Sequence, residues 1–351
     1  MFDVLLLLLR VALGHEKPSH LKIDNWDELY EMAYVQGVIS IACDGLQKLY
    51  GDNCLDGRIS YDLLSAMMEE ELDYVKQENA IHSLASFYIE RGIKMMVLKG
   101  LGLSWDYPVP QHRYCCDVDI YLFGEQEKAD KLIESELGIM VDNSHHIHSV
   151  FSYQDVTIEN HYQFFNEYSH RSSKEVNNIL KKLALESKRS GDVWFPSPEF
   201  NALHVLRHAA CHFAAQGISL RNVLDWGLFV EKHFDEVDWD KHWELCVELN
   251  MHLFLLALNE ICVEYLGFSK GYFKLGGDKV LTQQVLDNIK RAEFNERSPR
   301  GIISYIVFRY RKWKSNSWKH HLVYREGLKT TFIYQVIAHL MKPATLKKRN
   351  S

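Results

Sequence analysis

No Cys-x-x-Cys pair occurs among the seven cysteines. That excludes the common zinc and redox spacings, and an odd count without them reads as reduced thiols. No apolar stretch approaches the roughly 18–20 residues a membrane span needs. The opening Met1-Phe2-Asp3, followed by Leu5 to Leu9, lacks the basic start of a secretory signal, and Arg10 interrupts it before any small-residue cleavage site. It reads instead as a buried helix ending near Gly14, and the expected location is cytoplasmic. Positive charge is also scarce: the net charge is −7, which argues against a surface built throughout for nucleic acid. What is present is ordinary for a globular chain, with 47% apolar and 25% charged residues. A length of 351 residues allows two or three compact units.

The chemistry concentrates between Val97 and Leu122. Met95 to Leu98 reads as a strand, and Lys99-Gly100-Leu101-Gly102 as a turn into a short helix. Glycines there let backbone amides approach a phosphate, and Lys99 offers a point charge to it. A second strand carries Asp117 and Asp119. Alternation puts both carboxylates on one side, with Val118, Ile120 and Leu122 toward a core. Such a pair repels unless a cation lies between its members or one stays protonated. Oxygen ligands of this kind suit Mg²⁺, whose remaining positions water and phosphate fill. Arg113, in the proline-punctuated loop 105–113, has a donor fork suited to a triphosphate. Adjacent Cys115 and Cys116 on a strand point to opposite faces, with Cys115 expected on the aspartate face and Cys116 inward. A further alternation, Val156 to Tyr162, places Glu159 and His161 on one face, where they meet the aspartates if this strand is the neighbour.

The order Leu-Lys-Gly, then Asp-x-Asp, then Glu-x-His-Tyr resembles the polymerase-β-type nucleotidyltransferase superfamily. Within it the chain is most similar to a poorly characterised bacterial family whose motif opens with Leu-Lys-Gly. The resemblance covers about residues 80–230. It implies an α+β fold: a polymerase-β-like core, a small mixed sheet with helices, at 81–170, between a helical domain at 1–80 and another at 193–351 with a basic tail. It implies a metal-dependent transfer of a nucleoside monophosphate from a nucleoside triphosphate to a hydroxyl acceptor, with pyrophosphate released. Asp117, Asp119 and Glu159 are then the catalytic and metal-holding residues, with Mg²⁺ or Mn²⁺. Lys99, Gly100, Gly102, Arg113, His161 and His208 are the nucleotide contacts. The acceptor is left open between a small molecule, a protein and RNA. The interval before Asp117 is longer than the wider superfamily's Gly-Ser or Gly-Gly turn, and this supports the alternative of a catalytically inactive nucleotide-binding or scaffold protein of the same fold.

The flanks read as helical. Asp24-Asn25-Trp26 looks like a capped helix start, Tyr61 to Arg91 a long helix stopped by Gly92, and Glu125 to Leu137 another. A hairpin is expected from 139–141 to 148–153, joined by a turn whose histidines, with His148, are either exposed or a transition-metal site, and Gln154-Asp155 then turns the chain into the Glu159 strand. Residues 166–192 read as a mobile connection around one amphipathic helix. Ser197-Pro198-Glu199 opens a helix on which His204, His208 and His212 form a stripe that fits a cleft for acidic groups, a metal or plain structure. Asp225 joins His208 in the resemblance. From 290 to 351, fifteen Lys or Arg oppose three acids. Arg309, Arg311, Lys312, Lys314 and Lys319 alternate there with Tyr310, Trp313 and Trp318, a pattern for RNA or anionic lipid contact or for a solvated basic helix.

Overall fold

The computed structural model describes residues 1–18, 21–51, 58–168, 170–292 and 301–341. Parts of the basic stretch, 293–300 and 342–351, therefore lie outside the described residues. The chain divides into two compact units, each assembled from separated segments. The first takes 1–72, 104–114 and 205–323, and the second takes 73–103, 115–204 and the described residues from 324 on.

The first unit is built from helices. Phe2–Leu13 buries Leu5, Leu8 and Leu9 and ends where Gly14 turns left-handed at φ 79°. Trp26–Gln36 starts at Asn25, whose side chain accepts a hydrogen bond from the Glu28 amide, as the capped pattern predicts. Ile39–Tyr50 packs on the first helix through Gly45, where a Cβ would stand 2.2 Å from the Leu8 carbonyl oxygen. Neither partner there is a flexible side-chain end, so the helices must separate to admit a methyl. We expect Gly45→Ala to cost about 3 kcal/mol in urea unfolding, the upper range for overpacking. Gly14→Ala, which meets open space and strains only its own backbone, should cost about 1 kcal/mol.

The second unit holds the sheet. Six strands run β1 (Met96–Val97), β2 (Val118–Tyr121), β3 (His148–Tyr153), β4 (Val156–His161), β5 (Lys188–Ser190) and β6 (Val193–Phe195). Their order across the sheet is β3-β4-β2-β1-β6-β5. β2 lies parallel to β4 and antiparallel to β1, and β1 lies parallel to β6. The sheet is thus mixed, and the fold is α+β. One face carries the core: Val118, Ile120, Phe151 and Ile158 pack with Leu84, Tyr88, Ala129 and Ile133 from the helical segments 73–89 and 126–137. Burying each larger aliphatic side chain here contributes about 1.5–3 kcal/mol.

Three local expectations change. The partner of β3 is β4, through a two-residue turn in which Gln154 and Asp155 both take positive φ, 50° and 62°. Residues 139–141 form no strand, and only Asp142 bridges to Val150. The stretch 166–192 contains the expected helix, Ser172–Leu183, and then pairs β5 with β6 around Gly191 at φ 60°. All three β5 residues are exposed, so this edge strand shows no apolar alternation. Lastly, Cys115, Cys116 and Asp117 precede β2 rather than belonging to it, so strand alternation governs neither the two cysteines nor the expected placing of Asp117 on one side with Asp119. Cys115 is buried and Cys116 is exposed beside the Asp117 carboxylate, 3.4 Å from Oδ1.

Candidate active site

The face of the sheet opposite the core is polar where β1, β2, β3 and β4 adjoin. Register explains why. Asp119 stands directly beside Glu159 across the parallel β2/β4 pair, and Tyr121 beside His161. Counting back from the Gln154-Asp155 turn sets His148 opposite His161 and Val150 opposite Glu159. Directly paired residues share a face, as do residues two apart on one strand. Asp119, Glu159, His161 and His148 therefore emerge together. The next segment in space is the turn after β1, where Lys99 and Gly100, the latter at φ 44°, precede the short helix Leu101–Ser104. Gly102 passes close to the Val97 carbonyl, and a Cβ there would lie 3.2 Å from that oxygen.

Asp119 is the centre of this group. It is 2% exposed, and its two oxygens have different partners: Oδ2 lies 2.7 Å from Lys99 Nζ, and Oδ1 accepts from His161 Nε2 at 2.7 Å. Burial alone favours the neutral acid, but the Lys99 ammonium and the His161 imidazole override it and hold Asp119 well below the usual carboxylate range. Lys99 responds in kind: burial opposes its charge, and Asp119 with Asp117 raises it regardless. His161 is raised to about 9, because its hydrogen bonds to Asp119 and Glu159 outweigh burial. Its Nδ1 faces the Gln163 carbonyl at 3.1 Å.

Asp117 behaves differently. Burial first, and then the neighbouring Asp119 carboxylate, push it up, with Glu159 adding to the rise. The Lys99 ammonium pulls it back down without cancelling the rise. Glu159 is lowered, chiefly because a hydrogen bond from His161 overcomes its burial. His148 is pushed down to about 4 by burial and by the charge on His161. His204, ringed by Phe164, Phe165 and Phe200, falls to about 3 through burial and the nearby Lys99.

The remaining candidates stand in the first unit. Arg113 directs its fork at Asp225, with Nε 3.0 Å from Oδ1 and Nη2 2.7 Å from Oδ2. Tyr107 donates to the same Oδ1 at 2.7 Å. His112, next in sequence, is held between Asp44 at 2.8 Å and Glu71 at 2.9 Å. His208 stacks near His212, their rings 4.3 Å apart. In the basic stretch Lys319 is 1% exposed, with its ammonium 5.1 Å over the Phe213 ring, so it does not belong to a solvated basic face.

Residues 23–267 match the model of a family described as uncharacterised nucleotidyltransferase. The match takes in more than half of the chain, the Lys99 turn, β2 and β4 included, and the chain belongs to that family. Nucleotidyl transfer is the general function this membership supports, and a nucleoside triphosphate is the substrate it implies. No curated protein and no solved structure matches the chain. Among the described residues, no helix is long and apolar enough to cross a membrane.

Proposed function

We propose that the protein is a metal-dependent nucleotidyltransferase of the polymerase-β type, which moves a nucleoside monophosphate from a triphosphate to a hydroxyl acceptor and releases pyrophosphate. The observation that carries this reading is the carboxylate group Asp117, Asp119 and Glu159, in which burial, and then the Asp119 and Glu159 charges, push Asp117 upward against the pull of Lys99. That residual repulsion and an all-oxygen donor set fit Mg²⁺ or Mn²⁺. A divalent ion held by these three residues supplies charge neutralisation for the triphosphate.

The chain's own groups do the rest. Lys99 and His161 fix both oxygens of Asp119, so that its orientation does not depend on substrate. The Lys99 ammonium also brings positive charge to a turn that opens with Gly100, which suits the approach of phosphate oxygens, whereas Gly102 lies against the Val97 backbone. Glu159 orients the acceptor or completes the ion's coordination. A transferase of this kind releases the β- and γ-phosphates together. With γ-labelled triphosphate and an acceptor-containing extract, we expect the label in pyrophosphate. Label in orthophosphate would make the protein a hydrolase, and tight metal-dependent binding with no release would favour the inactive scaffold.

A further inference from the structure

His148 is the one member of the polar face that the transfer chemistry leaves unused. Both its ring nitrogens are buried, and among the described residues neither makes a hydrogen bond. A buried imidazole in that state calls for a reason, since such groups are nearly always satisfied. Its Nδ1 lies 3.4 Å from Glu159 Oε2, and His161 Nε2 lies 3.5 Å from the same oxygen. The three donor atoms all fall within 4.8 Å of one another. The two imidazoles meet edge to face, with ring centroids 5.0 Å apart.

The two separations to Glu159 Oε2 suit a zinc-class ion. Zinc binds nitrogen and oxygen at about 2.0–2.2 Å, and a tetrahedral arrangement then sets neighbouring donors about 3.3–3.5 Å apart. Two histidines and one carboxylate, with a position left open, are a common ligand set for ions softer than Mg²⁺, which prefers oxygen alone. The outer partner is also in place. His161 Nδ1 faces the Gln163 carbonyl at 3.1 Å. A ring N–H donated there leaves Nε2 as the nitrogen that faces the ion.

We propose that His148, Glu159 and His161 form a site for a zinc-class divalent ion, distinct in chemistry from the all-oxygen Mg²⁺ set. Asp119 Oδ1, 2.7 Å from His161 Nε2, is placed to join as a fourth donor once the ion replaces the hydrogen bond between them. Glu159 is shared with the oxygen set, whereas His148 belongs to this site alone. The site does not depend on the transfer reaction, and it stands or falls by binding.

The test uses the full chain, stripped with a chelator, without nucleotide, titrated with Co²⁺ as a spectroscopic stand-in for Zn²⁺. We expect one equivalent to produce the visible bands of a tetrahedral nitrogen- and oxygen-ligated ion, and Zn²⁺ to bleach them. His148→Ala and His148→Gln should each weaken binding at least about a hundredfold, with the thermal unfolding of the metal-free proteins close to that of the parent. His212→Ala should leave the bands unchanged, because the His208/His212 pair, another place where two imidazoles lie close, is not part of the site. Bands that survive both His148 substitutions, bands lost in His212→Ala, or no bands at all would each overturn the proposal. A protein that binds Co²⁺ through His148 and yet transfers no nucleotide would refute the transferase reading and leave this site standing.

Discussion

Asp117→Asn is expected to lower nucleotidyl transfer by about a thousandfold or more, equivalent to roughly 4 kcal/mol of transition-state stabilisation. The same substitution should leave the unfolding midpoint unchanged or slightly raised. The two halves of this result have one cause. Asp117 is pushed up by burial, by Asp119 and by Glu159, which together outweigh the pull of Lys99, so its charge is a net burden on the folded protein that a bound cation relieves. An amide of equal size removes the burden and with it the oxygen ligand. Loss of activity with stability retained is the signature of a residue kept for function at a cost to the fold. Asp119→Asn is a poorer probe. That side chain is buried against Lys99 and His161, and its neutralisation strands both positive groups. Steady-state transfer and urea unfolding on the same Asp117→Asn preparation decide the matter. Retention of most of the activity would remove Asp117 from the metal role.

Arg113→Ala is expected to destabilise the first unit by about 3–5 kcal/mol, the usual cost of leaving a buried partner charge alone. Arg113 and Asp225 are 7% and 6% exposed at the side chain. Two parallel hydrogen bonds join them, and Tyr107 adds a third to the same carboxylate. Lysine cannot reproduce the fork, so Arg113→Lys should recover only part of the loss. Replacing both members, as Arg113→Met with Asp225→Leu, should recover most of it, because two apolar groups leave no buried charge behind. Chemical denaturation followed by tryptophan fluorescence reads this directly, since Trp226 follows Asp225 in the helix Leu220–His233. A cost below about 1 kcal/mol, combined with a raised KM for triphosphate, would return Arg113 to the nucleotide-gripping role that its donor geometry alone suggests.

How much of this was legible in the sequence depends on the range of the interaction. Local rules served well where the signal was local: Gly14 ends the first helix at positive φ, Asn25 caps the second, and Ser197 accepts from the Phe200 amide at the start of Pro198–Ala215. Strand alternation from 156 to 161 put Glu159 and His161 on one face, and the pairing of β4 with β2, left as a condition by the sequence, is what brings them to Asp119. The ion pair between Lys99 and Asp119 was not legible, because it depends on how β1 delivers its turn across the sheet. The same holds for Arg113, whose partner lies 112 residues away. His148 was accessible in principle. Gln154-Asp155 does turn the chain into β4 as expected, but the expected pairing of 148–153 with 139–141 drew the register away from β4, where His148 stands opposite His161. The β5 edge strand was hidden by its own exposure, since a fully solvated Lys-Arg-Ser carries no pattern that separates strand from loop.

The central claim is that this carboxylate group transfers a nucleotide. The most direct measurement is incubation of the purified protein with each α-labelled nucleoside triphosphate, Mg²⁺ or Mn²⁺, and a cell lysate separated into protein, RNA and small-molecule fractions. Label is expected in one fraction with the parent protein and in none with Asp117→Asn, which names the acceptor class in the same step. Label that persists with Asp117→Asn, or that appears in no fraction although the triphosphate binds with metal, would contradict it.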